Sequence, residues 1–144
     1  VITPTPNSDS NAINTLSKLI TSMECEVCKA SPEEHDEAVS LISHLPIFLG
    51  STLIETAHSE NNKSLLCLSQ RLAASGFADT TRVGGGNPEL SLDLAINNQT
   101  NILRAIKEFK NTLNEVESLI KDKKWELLSK KLSKAKEVRA SFID

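Results

Sequence analysis

Apolar residues recur at helical spacing through almost the whole chain, and no stretch of useful length alternates with period two. That pattern predicts an all-α protein of about five helices without internal repeats. Pro4 and Pro6 each remove a backbone donor and disfavour helix in the residue before them, so 1–8 reads as the end of a linker and 9–144 as the helical domain. Asp9 or Ser10 caps a first helix through Ile13, Leu16, Leu19, Ile20 and Met23, ending near Ser22. The short acidic stretch 24–30 is a connection. Ser31-Pro32-Glu33-Glu34 opens a second helix with a capping hydroxyl, a proline at the first position and acids at the positive end of the dipole. This helix runs to Glu55 or His58 and is apolar on nearly every face, so it is expected to be central, with a kink at Pro46. A third helix spans 62–75 and stops at Gly76, and 77–88 reads as a glycine-rich loop. Beyond Pro88, one long amphipathic helix carries Leu94, Ile102, Ile106, Phe109, Leu113, Val116 and Ile120, and another carries Trp125 to Phe142. The two are expected to pair antiparallel through a turn at 121–124.

Composition narrows the class. The chain has 144 residues with 39% hydrophobic and 24% charged, one domain's worth of globular sequence. Only 3% is aromatic, there is no Tyr, and the net charge is -3, which argues against a nucleic-acid module. Three cysteines make no disulfide framework and fit a reducing, cytoplasmic setting. Residues 1–100 carry a net -7 and 101–144 a net +4, but the lysines at 121–136 are interleaved with apolar residues and read as a solvated helix face. The apolar run 38–57 contains Ser40, Ser43, His44, Pro46, Ser51 and Glu55, too polar for a membrane span and suited to a helix buried in protein. The chain begins without Met and without a secretory pattern, so it is expected to be cut from something longer.

Cys25, Cys28, His35, His44 and Cys67 invite a metal hypothesis, but a structural zinc site wants two tight ligand pairs and only one C-x-x-C is present. On one helix His35 and His44, nine residues apart, face opposite ways, and no metal is expected. Gly84-Gly85-Gly86 lacks the preceding strand and following Lys-Ser or Lys-Thr of a phosphate cradle. Arg82 stands out beside it as one of two cations between Lys63 and Arg104. Its planar fork of donors matches a carboxylate, and Asp79 either orients it or clips the loop to it. His35, on the first turn of the central helix, is placed to reach a cleft. His44, in an apolar helix, reads as a hydrogen-bonded core group.

Thr3-Pro4-Thr5, His35-Asp36-Glu37, Ser43-His44-Leu45-Pro46 and Gly76-Phe77-Ala78-Asp79-Thr80-Thr81-Arg82, followed by a long paired-helix tail, resemble the C-terminal helical domain of prephenate and arogenate dehydrogenases. Thr81-Arg82 through Glu89-Leu90 looks especially like the cyanobacterial arogenate branch, which prefers NADP. The resemblance implies an intertwined dimer and a preceding Rossmann domain, absent from this chain, that binds the cofactor and supplies the catalytic groups. This chain then holds no catalytic residue: Arg82 grips a substrate carboxylate, Asp79 sits at the pocket mouth, and His35 lies near the same cleft. The implied reaction is oxidative decarboxylation of arogenate or prephenate in tyrosine biosynthesis, with this fragment inactive alone. Many prephenate-using relatives carry His after the Leu-Pro, where this chain has Ile47, which tilts the expectation toward arogenate. The competing reading is a non-enzymatic helical dimerisation or metabolite-sensing module, without nucleic-acid or membrane partners.

Overall fold

A computed structural model describes residues 1–143, and the chain divides into two units, Val1–Leu103 and the remainder from Arg104. The first holds α1 (Ser10–Ser22), α2 (Pro32–Val39), a π-helical turn (Ser40–His44), α3 (Leu45–His58), α4 (Lys63–Leu72), α5 (Ser75–Thr81), α6 (Pro88–Asn97) and the start of α7 (Gln99–Lys121). The second holds the rest of α7 and α8 (Trp125–Ile143). Because α2, the π turn and α3 form one rod from Pro32 to His58, there are seven helices among the described residues, not five. No extended strand occurs among them. The all-α reading holds.

The helix starts follow local chemistry. Asp9 accepts from the Asn11 amide at 2.8 Å. Ser31 and Glu34 form a complete capping box, the Glu34 amide donating to Ser31 Oγ at 3.1 Å and the Ser31 amide to Glu34 Oε2 at 2.8 Å. Those bonds hold the Glu34 carboxyl below its ordinary value. Pro46, expected to kink the rod, is handled by the π turn just before it. The Leu45 amide reaches back to the Ser40 carbonyl, and the wider turn seats a proline that cannot donate to Ile42.

Three expected boundaries move, and the first is the end of the helix expected over 62–75, which falls at Leu72. Gly76 does not stop a helix but lies within α5, so Asp79 sits on a helix and Arg82 caps its end. A seven-residue helix has too little periodicity to stand out from a glycine-rich stretch. The single helix expected after Pro88 breaks at Asn98, where φ of -127° leaves the helical region between α6 and α7. In the second unit the chain reverses after Lys121, with Lys123 at positive φ and the Lys124 amide on the Leu119 carbonyl, and Lys131 pairs with Glu115 at 2.7 Å.

Contrary to the reading of 38–57 as too polar and as buried in protein, the rod is long and apolar enough to span a membrane by length and composition, and only 22% of its most apolar window is buried inside the protein. What is buried on it is Ser40, His44, Leu45 and Gly50. Gly50 is the seat of a close backbone approach. A Cβ on Gly84 would lie 2.1 Å from the Ser51 amide nitrogen and 2.3 Å from the Gly50 carbonyl carbon, so the turn after α5 rests backbone to backbone on α3. Gly84→Ala is expected to cost at least about 3 kcal/mol in chemical unfolding, because both obstructing groups are main chain. Gly76→Ala, whose Cβ would meet nothing within 4 Å, is expected to stabilise by about 0.5–1 kcal/mol in the same measurement. Equal effects would refute the backbone contact.

Candidate functional site

Two clusters attach to the rod. The first surrounds the π turn. Asn98, at the break between α6 and α7, is buried and donates both amide hydrogens from Nδ2, to the Asp36 carbonyl at 2.7 Å and to His44 Nδ1 at 3.3 Å. Its Oδ1 accepts from Asn101 Nδ2 at 2.8 Å. Since Asn98 donates to Nδ1, the neutral imidazole carries its proton on Nε2. Nε2 has no protein partner, and no buried side-chain nitrogen or oxygen among the described residues is left unsatisfied. The Nε2–H therefore reaches solvent-accessible space although His44 as a whole is only 8% exposed. His35 Nδ1 donates to Asp36 Oδ1 at 3.0 Å, half-exposed at the rim of this cluster.

The second cluster is the turn seated on Gly50, six residues and about 9 Å along the rod from His44. Thr81 is buried, its hydroxyl donating to the Phe77 carbonyl at 2.6 Å, and the Gly85 amide returns to the Thr81 carbonyl at 3.1 Å. Between Thr81 and Gly84 the Arg82 side chain stands exposed, and among the described residues it makes no hydrogen bond or ion pair. Asp79 is exposed and likewise unpaired. The Arg82–Asp79 clip is therefore not formed, and the guanidinium is available to an outside carboxylate. His35 bonds Asp36 and neither Arg82 nor Asp79.

The glycine run is filled by the protein's own backbone. With Gly84 on α3 and Gly85 beside Ile54, its residues do not fit a dinucleotide phosphate. A polar depression of about 550 Å³ includes Glu33, Asp36, Glu37 and Asn98, and its three carboxylates repel anions. An apolar groove of about 480 Å³ lies between α3, α4 and Phe77. Cys25, Cys28 and Cys67 are free and exposed, and no group of three or more metal-ligating side chains occurs among the described residues.

The sequence singles out Arg82, Asp79 and His35, which the structure does not bring together, and passes over Asn98. The signal was present: Asn97-Asn98-Gln99-Thr100-Asn101 interrupts the apolar period between Ile96 and Ile102, and a polar run inside a buried pattern marks either a break or a network.

Residues 31–134 match the family model described as prephenate dehydrogenase, dimerization domain. The chain belongs to that family. It is 31% identical over 140 residues to the prephenate dehydrogenase of Bacillus subtilis (strain 168), covering 96% of this chain and 37% of the relative. Among solved structures it resembles the Synechocystis arogenate dehydrogenase, with 34% identity and a TM-score of 0.90 over 98% of this chain and 51% of that one. It also resembles the prephenate dehydrogenase from A. aeolicus in complex with hydroxyphenyl propionate and NAD+, with 26% identity and a TM-score of 0.86 over 97% and 48%. The chain thus spans between about a third and half of these relatives.

Burial lowers the His44 pKa from its ordinary 6.5, with Asp36 opposing and His35 adding to the shift. Between the depressed folded value and 6.5 the unfolded chain binds a proton that the folded chain does not. Stability is therefore full above about pH 6.5 and falls as the pH drops through that window. His44→Asn, whose Oδ1 keeps the acceptor for Asn98 without titrating, is expected to flatten the profile. Melting temperatures from pH 7.5 to 5 check this, and parallel slopes for the two proteins would exclude His44 as the source.

Proposed function

We propose that this chain is the substrate-closing and dimerising half of a prephenate/arogenate dehydrogenase of tyrosine biosynthesis, a cytoplasmic oxidoreductase. The observation that carries the reading is Arg82: a guanidinium held on a turn whose backbone is clamped by Thr81 and Gly84, with no protein partner of its own. Family membership supplies the chemistry it would serve. Arogenate and prephenate both present carboxylates, and a planar fork on a fixed backbone can grip one bidentately while the rest of the substrate is aligned. Asp79, three residues before Arg82 and exposed like it, leaves the guanidinium free and is the neighbouring charge that a bound substrate would meet. The His44 Nε2–H adds a neutral donor on the rod, and His35 stands at its rim.

The nicotinamide cofactor supplies hydride acceptance in this reaction, and NADP is the form we assign. The residues described here do not fit it, so its site and the catalytic groups belong to the other half of the enzyme. This chain contributes orientation and water exclusion. With Ile47 after the Leu-Pro, no imidazole is offered at that position to a second carboxylate, which favours arogenate over prephenate.

Uncovered apolar surface supports dimerisation. Large apolar side chains stand exposed in each unit, among them Leu72 at 71% and Phe142 at 70%. We assign their cover to a second copy, and the chain is expected to sediment at twice its 15.7 kDa mass at micromolar concentration. A monomer would remove this part of the proposal.

In the full-length enzyme, Arg82→Ala is expected to lower kcat/KM for arogenate at least about tenfold, roughly 1.4 kcal/mol. Its unfolding midpoint should be unchanged, because Arg82 has no partner to lose. Steady-state NADP reduction with arogenate and prephenate, beside thermal unfolding, makes the comparison. Wild-type enzyme inactive on both substrates would overturn the reading, and an unaffected mutant would reduce Arg82 to a bystander.

A further inference from the structure

Cys25 and Cys28 are used neither by the fold nor by the proposed site. Both thiols are exposed, on the connection between α1 and α2. Their segment also holds the first residues of the chain. The Ile2 amide donates to the Cys28 carbonyl at 2.8 Å and the Ala30 amide to the Ile2 carbonyl at 3.2 Å, a parallel bridge between Ile2 and Lys29. From Cys25 to Cys28 the backbone has no turn or bend. A turn-free chain can separate Cα atoms three residues apart by up to about 10 Å, whereas a disulfide spans roughly 4.4–6.8 Å. The Cys25 thiol meanwhile donates to the Met23 carbonyl at 3.5 Å.

We infer that Cys25 and Cys28 form a dithiol modification site whose oxidation to a disulfide releases Ile2 from the domain. The oxidant is a small disulfide such as glutathione disulfide. The Cys25 thiolate attacks it and expels one glutathione thiolate, then the Cys28 thiolate attacks Cys25 Sγ in the mixed disulfide and expels the second. One protein S–S bond forms, one glutathione S–S bond breaks, two electrons pass to glutathione, and the two thiol protons leave with the products. Closing this ring bends the segment and withdraws the Cys28 carbonyl from the Ile2 amide. On the functional reading above, the residues before Val1 lead to the cofactor-binding half, so the dithiol state sets how firmly the two halves are tethered.

The test uses the full-length enzyme, reduced or treated with glutathione disulfide, followed by iodoacetamide labelling, peptide mass measurement and amide hydrogen exchange. Oxidation is expected to protect Cys25 and Cys28 together, leave Cys67 alkylatable, and speed exchange at Ile2 and Ala30 at least about tenfold. Cys25→Ser and Cys28→Ser should each keep the slow exchange under oxidant, while Cys67→Ser should behave as wild type. The inference is overturned if both thiols stay alkylatable, if either pairs instead with Cys67 or another chain, or if the disulfide forms without changing exchange. Lack of dehydrogenase activity in the reduced enzyme would sink the functional reading and leave the disulfide result standing.

Discussion

The contact between Gly50 and Gly84 fixes more of this fold than any side chain does. Two main-chain segments touch with no room for a methyl group, so the turn after α5 can sit on α3 in one place only. Such a contact matters because few apolar side chains are buried in the first unit, Leu45 and Ile102 among the described residues. Side-chain packing alone is adaptable and would leave the turn free to shift, whereas a backbone seat restricts it. Arg82 inherits that restriction. With buried Thr81 before it and Gly84 after, its only freedom lies in its own side chain, the arrangement a recognising group needs.

A second constraint, the missing amide of Pro46, propagates the other way along the rod. The π turn that accommodates it widens the helix between Ser40 and His44 and buries both. A buried imidazole needs a partner, and Asn98 supplies it only because α6 and α7 break there instead of running on. Asn98 also takes the Asp36 carbonyl, so one carboxamide joins the start of the rod, its π turn and the start of α7. The donors and acceptors close with no buried group unsatisfied, so the network specifies one arrangement instead of several.

The sequence made the helices legible where their signals are local. Asp9 and Ser31 cap the helices they introduce, and Ser22 and His58 end theirs, because capping chemistry acts within four residues. It was less legible where the structure depends on distant partners. Gly76 reads as a stop unless the seven residues after Ala74 are known to lie against α3, and Gly84 reads as a flexible loop residue unless Gly50 is known to face it. The same limit separates Arg82 from Asn98. An isolated cation among apolar and glycine residues is conspicuous by type, while a polar run marks a break or a network without saying which of its members joins which groups.

Periodicity also misjudged how much of each apolar face this chain covers by itself. On α1, Ile13, Ser17 and Ile20 are half-buried, yet Leu16, Leu19 and Met23 form a second stripe left exposed. On α4, Leu65, Leu68 and Leu72 do the same at spacings of three and four. A helical period reports that a face will be buried and carries no information about which chain buries it. The rod shows the consequence most clearly: apolarity on nearly every side predicted a helix enclosed by its own domain, but Leu41 and Ile42 stand exposed on the π turn while Ser40 and His44 point inward. For a dimerisation-domain fold this inversion is physically reasonable. The polar groups are satisfied within the chain, where Asn98 and Glu37 are always at hand, and the apolar ones are left uncovered by it.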